Sequence, residues 1–200
     1  MSEENQEPKQ SLLSRLSALW NNNEESENIP EAIRDLLHQA RAGKQIGEDT
    51  AQMLERLLTI DDTRVRDIMV PRGQIIFLEE NWSLEHIFTV ITESGHSRYP
   101  VVDETHEQVR GILLSKDLLP CAFGRPLPAT IPEMLRPATI VPESKPLDAM
   151  LRDFKTNRNH MALVIDEYGN LSGLVTIEDV IEEIVGEIDD EHDEIAAAPI

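Results

Sequence analysis

The feature that most constrains this chain is that it repeats itself. From Val65 onward, short apolar runs alternate with helical patterns, and the same order occurs twice. The first pass reads Val65-Arg-Asp-Ile-Met-Val-Pro-Arg72, then a strand-like run over 75–78, a helix over 83–94, strands over 99–103 and 109–114, and a helix opening at Ser115-Lys-Asp117. Ser83 suits a helix N-cap, and Leu84, Ile87, Phe88 and Ile91 follow it at helical spacing. The second pass leads from Ile131-Pro-Glu-Met134 to a strand over 139–141 and a helix opened by Pro146, with Leu147, Met150, Leu151 and Phe154 on one face. Paired strands over 161–165 and 171–176 follow, and a last helix begins near Glu178. Gly111 matches Gly173 and Asp117 matches Asp179 at an offset of 62, Leu84 matches Leu147 at 63, and Met69 matches Met134 at 65. Two copies of β-α-β-β-α cannot each bury both faces of a sheet alone, so the spacing predicts one α/β module built from both. The repeats are assigned to 61–124 and 125–190.

What flanks the repeats is simpler. Residues 1–29 are rich in Ser, Asn, Glu and Gln and read as a mostly disordered tail. Within it, Leu12, Leu13, Leu16, Leu19 and Trp20 fall on one helical face, which suits either a docking helix or a frayed tail. Only Lys9 and Arg15 flank that face, fewer cations than interfacial helices carry. Residues 30–60 read as a helical segment: Pro30 and Glu31 suit a first turn, Ile33, Leu36, Leu37 and Ala40 form a stripe, and Gly43 ends it. A second helix is expected from about Glu48, with Met53, Leu54, Leu57 and Leu58 facing inward. The chain closes in an acidic tail, 191–200.

Charge removes one class of partner. The formal net charge of −20 opposes binding to a phosphate backbone, so nucleic acid is not expected as a partner, and an anionic lipid surface is disfavoured too. Cys121 is the single cysteine, so no disulfide forms within the chain, as suits a reducing compartment. Apolar runs such as Met161 to Ile165 fall far short of the ~18 residues needed to span a bilayer. A cytoplasmic location follows as the expectation, with any membrane association through a partner.

Each repeat ends in a strand, a glycine, an apolar pair and a polar turn into a helix bearing Asp. The second gives Gly173-Leu-Val-Thr176-Ile-Glu-Asp179, and the first gives Gly111-Ile-Leu-Leu114-Ser-Lys-Asp117, with Leu where the threonine stands in the other. Around them lie Ile68-Met-Val-Pro71, Ser97-Arg-Tyr-Pro-Val101 and His160-Met-Ala-Leu-Val-Ile-Asp-Glu-Tyr-Gly169. Together these resemble tandem cystathionine-β-synthase-type (CBS) repeats. The closing run from Leu174 to Ile188 is especially similar to the CorC-like magnesium and cobalt efflux family. The resemblance covers about Ile46 to Glu191. It implies an ion-efflux role, a homodimer, a membrane transport partner, and a natural chain that continues into a further domain.

The chemistry can also be read from the residues. Thr176 stands where a strand hands over to a helix, so the helix N–H groups face whatever binds there, as suits phosphate. Asp179 has two acceptor oxygens that suit vicinal ribose hydroxyls. Arg98 suits a phosphate clamp, and Val70, Pro71 and Pro100 offer apolar edges for a planar base. The resemblance implies one site joining Val70 and the Ser97-Arg98 region to Thr176, Glu178 and Asp179, with His96 beside the phosphates. The ligand expected is AMP or ATP, with magnesium carried on the phosphates. A weaker second site would use Ser115 and Asp117, since Leu114 takes the threonine's place. Plainer readings stand beside these: Thr176 and Asp179 as a helix cap, Arg98 as a surface ion pair, His96 as a solvated histidine, His160 as a residue that orients its strand. The acidic run from Glu182 to Glu194 reads as a solvated helix end in preference to a metal site.

These features predict a regulatory, non-catalytic protein. No Walker loop, nucleophile elbow or histidine-carboxylate metal triad occurs in the sequence, so a nucleotide hydrolase is the weaker rival. A dimerisation scaffold without a ligand is the other. Dimer contacts are expected from Leu84, Ile87, Leu147 and Met150.

Overall fold

A computed structural model describes residues 29–106, 108–125 and 130–186. The leucine-rich stretch from Ser11 to Trp20, the acidic tail and the far end of the Glu182 to Glu194 run lie outside the described residues. The chain divides into two compact units, with the boundary between Leu58 and Thr59.

In the first unit, helices α1 (Ile29–Ala42) and α2 (Glu48–Leu57) pack on one another. Ile33, Leu36, Leu37 and Ala40 are half-buried. Arg41 ties the two helices together: its Nε donates to Glu48 Oε2 at 2.7 Å. The turn after α1 places Lys44, not Gly43, in the left-handed region, at φ 52°. Leu54 and Leu57, expected to face inward, are 36% and 44% exposed, and Ala51 is the buried residue of α2. The apolar spacing on α2 thus marks a face without fixing how deeply it is covered.

The second unit holds both repeats. Its elements are α3 (Val65–Ile68), β1 (Val70–Pro71), β2 (Leu78–Glu79), α4 (Leu84–Ser94), β3 (Arg98–Val102), β4 (Val109–Leu114) and α5 (Leu119–Ala122), then α6 (Ile131–Met134), β5 (Thr139–Pro142), α7 (Leu147–Asn157), β6 (Met161–Ile165), β7 (Leu171–Thr176) and α8 (Ile177–Val185). Ser83 caps α4 by accepting from the His86 N–H at 3.3 Å, and Gly95 ends that helix at φ 70°, a conformation open to glycine. The strand expected over 75–78 is shorter and later, at Leu78–Glu79. The helix expected at Ser115 begins as a 3-10 turn, Ser115–Leu118, before α5.

The sheets reveal an exchange that the linear repeat conceals. β2-β3-β4 form one sheet, with β2 parallel and β4 antiparallel to β3. The other has the order β1-β7-β6-β5, so β1 leaves the first repeat and joins the second, pairing Val70 with Leu174 and Pro71 with Gly173. The second repeat returns the loan at Arg136, which bridges to Ile112. Arg136 and Ile112 trade two backbone hydrogen bonds, at 2.9 and 3.0 Å. Glycine is required where each lent segment crosses. A Cβ on Gly173 would lie 2.6 Å from the Val70 carbonyl oxygen, and one on Gly111 would lie 2.7 Å from that of Arg136.

The cores follow the exchange. Val65 packs with Val141, Leu147, Met150 and Phe154 of the second repeat, and Ile131 packs with Leu78, Ile87, Tyr99 and Leu113 of the first. Ile87, Leu147 and Met150 are fully buried in these cores, so they cannot also form a dimer face; of the four residues expected there, only Leu84 is exposed, at 38%. The paired glycines also correct the repeat alignment. Val70 is equivalent to Arg136 and Pro71 to Pro137, an offset of 66, so Met69 matches Leu135 and not Met134.

Candidate functional site

The β7–α8 junction is built by a reciprocal cap. Thr176 Oγ1 accepts from the Asp179 N–H at 3.2 Å, while Asp179 Oδ2 accepts from the Thr176 N–H at 2.7 Å and from its hydroxyl at 2.8 Å. The helix-cap reading is therefore realised, and it fixes the acid in place. Asp179 Oδ1 makes no hydrogen bond among the described residues, and the Thr176 oxygen keeps one lone pair. Both are acceptors, which suits a ligand's hydroxyl donors. Two N–H groups of the helix start are already used, Asp179's on Thr176 and Ile177's on the His160 carbonyl at 3.1 Å. The helix end thus offers less to phosphate than the sequence suggests. Glu178 adds a further carboxylate, 3.9 Å from His160 Nδ1.

β1 runs beside this junction. Val70 is half-buried and Pro71 exposed, and both lie along β7 just ahead of Thr176. The structure therefore brings Val70, Pro71, Thr176, Glu178 and Asp179 to one sheet end.

His96, Ser97 and Arg98 lie at the start of β3, where Arg98 pairs with Leu114 of its own repeat. The Ser97 carbonyl accepts from the Ser115 N–H at 3.0 Å and the Ser115 hydroxyl at 3.3 Å, so that hydroxyl is already engaged. Arg98 is half-buried and its side chain makes no hydrogen bond or ion pair among the described residues, so the surface ion pair does not form there. His96 is exposed, and its N–H donates to the Tyr99 hydroxyl at 2.9 Å. Pro100 is buried in β3, opposite Ile112. Among the described residues, no hydrogen bond or ion pair joins His96, Ser97 or Arg98 to Thr176 or Asp179.

Two residues escape the sequence reading. Tyr99 is fully buried, and its hydroxyl joins Ser94 Oγ at 2.7 Å to the His96 N–H, fixing the turn that presents Ser97 and Arg98. Arg136 donates from Nη2 to Asp117 Oδ2 at 3.1 Å. The sequence does carry a signal for Arg136, since Leu135-Arg136-Pro137 parallels Met69-Val70-Pro71 once the prolines are aligned. Among the described residues, no group of three or more His, Cys, Asp and Glu side chains could hold a metal ion, and no helix is long and apolar enough to cross a membrane.

Comparison with known proteins agrees with this architecture. The CBS domain family matches residues 65–122 and 129–186. The magnesium and cobalt efflux protein CorC of Salmonella typhimurium is 50% identical over 159 residues, which cover 80% of this chain and 54% of the relative. The chain thus spans about half the length of that curated relative. The solved CBS domain of a bacterial CNNM/CorC family Mg2+ transporter is 36% identical with a TM-score of 0.71, covering 80% of this chain and 98% of that one. A CBS domain of a bacterial CNNM/CorC family Mg2+ transporter solved in complex with ATP is 37% identical with a TM-score of 0.63, covering 68% and 97%. With its two repeats, exchanged strands and glycine crossings, this chain belongs to the CBS domain family and is a CBS pair of the CNNM/CorC type.

Proposed function

We propose that this chain is a regulatory module that binds an adenine nucleotide, AMP or ATP, for a magnesium and cobalt efflux system. The observation that carries the reading is the Thr176–Asp179 cap, which holds a carboxylate rigidly with one oxygen to spare, on a chain 37% identical to a CBS domain solved with ATP. Asp179 takes the ribose, the Val70–Pro71 strand flanks the base, and Glu178 lies beside them. Arg98, free of partners among the described residues, clamps phosphate, with His96 and Ser97 next to it. Pro100 backs this wall from within β3. Magnesium enters with the phosphates, because the net charge of −20 repels a bare polyphosphate. Binding at a hundred times the dissociation constant adds roughly 2.7 kcal/mol of stability. A thermal-shift titration with AMP, ADP and ATP tests the reading: a rise in Tm that saturates supports it, and no shift with any of the three ends it. Incubation with ATP and magnesium is expected to release no ADP, which separates a sensor from a hydrolase.

The module is further proposed to form a homodimer beside its membrane transport partner. Leu119 and Phe123 are 53% and 78% exposed, and Ile181 and Val185, their equivalents 62 residues on, are 40% and 38% exposed. The matched apolar pairs suit a two-fold contact with a second copy. Sedimentation equilibrium at micromolar concentration is expected to give twice the chain mass, and a clean monomer removes the claim.

A further inference from the structure

We propose that Arg136 closes the first repeat to nucleotides, so that the number of ligands per chain is set by the residue one repeat lends to the other. The inference rests on the nucleotide reading and deepens it. In the second repeat, the lent position beside β7 is Val70, and Asp179 is held by Thr176 with one oxygen to spare. The same position in the first repeat is Arg136, and its guanidinium is bonded to Asp117, the equivalent of Asp179. Leu114 gives Asp117 no hydroxyl, and no side-chain cap forms there. The two acids are thus held by different means, both through Oδ2: Asp179 by the amide and hydroxyl of Thr176, Asp117 by a cation that pairs its charge.

The backbone of Arg136 is held by its two hydrogen bonds to Ile112, which keeps the root of the side chain beside Asp117. A ribose arriving at Asp117 meets a carboxylate whose Oδ2 is already in a charge-assisted hydrogen bond. It can engage both oxygens only by displacing the guanidinium that stands where the second repeat has Val70, and a neutral hydroxyl offers the weaker bond in return.

Calorimetry with ATP and magnesium on the wild type, Leu114→Thr and Leu114→Thr/Arg136→Val decides the matter, because both substitutions copy residues the second repeat already uses. One nucleotide per chain is expected for the wild type and for Leu114→Thr, and two for the double variant. Two sites in the wild type, two in Leu114→Thr alone, or no gain in the double variant overturns the proposal. A wild type that binds none, beside a double variant that binds one, defeats the nucleotide reading of the second repeat yet upholds the role of Arg136. Should the double variant fail to fold, Arg136→Val alone is the check, since that side chain is 54% exposed. It is expected to add a second, weaker nucleotide. An unchanged isotherm overturns the proposal, as does a tenfold loss at the existing site, which would mean that Arg136 holds phosphate.

Discussion

The starts of the helices after β4 and β7 share a backbone plan and differ in chemistry. Each follows a strand whose first helical N–H bonds back to the neighbouring strand, Ser115 to Ser97 and Ile177 to His160, and each carries an acid two residues further on. Facing residues diverge: Arg98 pairs with Leu114 in one, Met161 with Thr176 in the other. Lys116 and Arg136 make the first start basic around Asp117, whereas Glu178 leaves the second acidic around Asp179. A duplicated scaffold therefore need not duplicate a site. Four side chains are enough to give one copy an acid held in a helix cap and the other an acid held in an internal ion pair.

The largest effect expected is on ligand affinity. Asp179→Asn should weaken nucleotide binding by about 10- to 100-fold, the equivalent of a charged hydrogen bond of about 1.5–3 kcal/mol, while Asp117→Asn should leave it unchanged. Calorimetry on both variants breaks the comparison if the Asp117 change costs more.

The glycine crossings come next and are where the two starts should behave alike. Gly173→Ala and Gly111→Ala each force a methyl against a lent backbone, and each should cost about 1–3 kcal/mol in urea unfolding. A tolerated substitution at either position would show that the lent segment there can shift.

Arg98→Ala should weaken ATP about tenfold and adenosine little, since a phosphate partner is lost and not a base contact. Equal weakening of the two ligands would assign Arg98 to the fold.

The smallest effect concerns Asp166 in the β6–β7 turn. Hydrogen bonds from the Asn170 side chain and backbone N–H, then from the Tyr168 and Gly169 N–H groups, hold its carboxyl below the usual range. Its folded value is depressed, so its contribution is present above the ordinary aspartate value of about 3.9 and is lost as pH falls through the folded one. Asp166→Ala should lower stability slightly near neutral pH and flatten that acid limb of a stability–pH curve, and an unchanged acid limb in urea unfolding at several pH values would remove the assignment.

The strands and helices inside each repeat were legible because glycine, cap and apolar spacing agree locally: strands 109–114, 161–165 and 171–176 carry β-branched or aliphatic runs ended by a polar turn. The Thr176–Asp179 pair was legible for the same reason. The lent strand Val70–Pro71 was not, because a two-residue strand has no periodicity and owes its existence to β7, about a hundred residues away. Aligning Met69 with Met134 followed side-chain likeness, whereas the backbone aligns the prolines 71 and 137. That one-step difference hid Arg136. Ile87, Leu147 and Met150 teach a related lesson: apolar spacing shows which face of a helix seeks cover, and only tertiary packing shows that the chain's own core supplies it.

The reciprocal loan of strands has a consequence for integrity under cleavage. Severing the connection between the repeats, which runs through residues 126–129, would leave two fragments, each carrying the segment that finishes the other's sheet and core. Neither fragment alone contains the whole of the hydrophobic cluster that covers its own sheet. Together they are complementary halves whose reassembly restores both crossings.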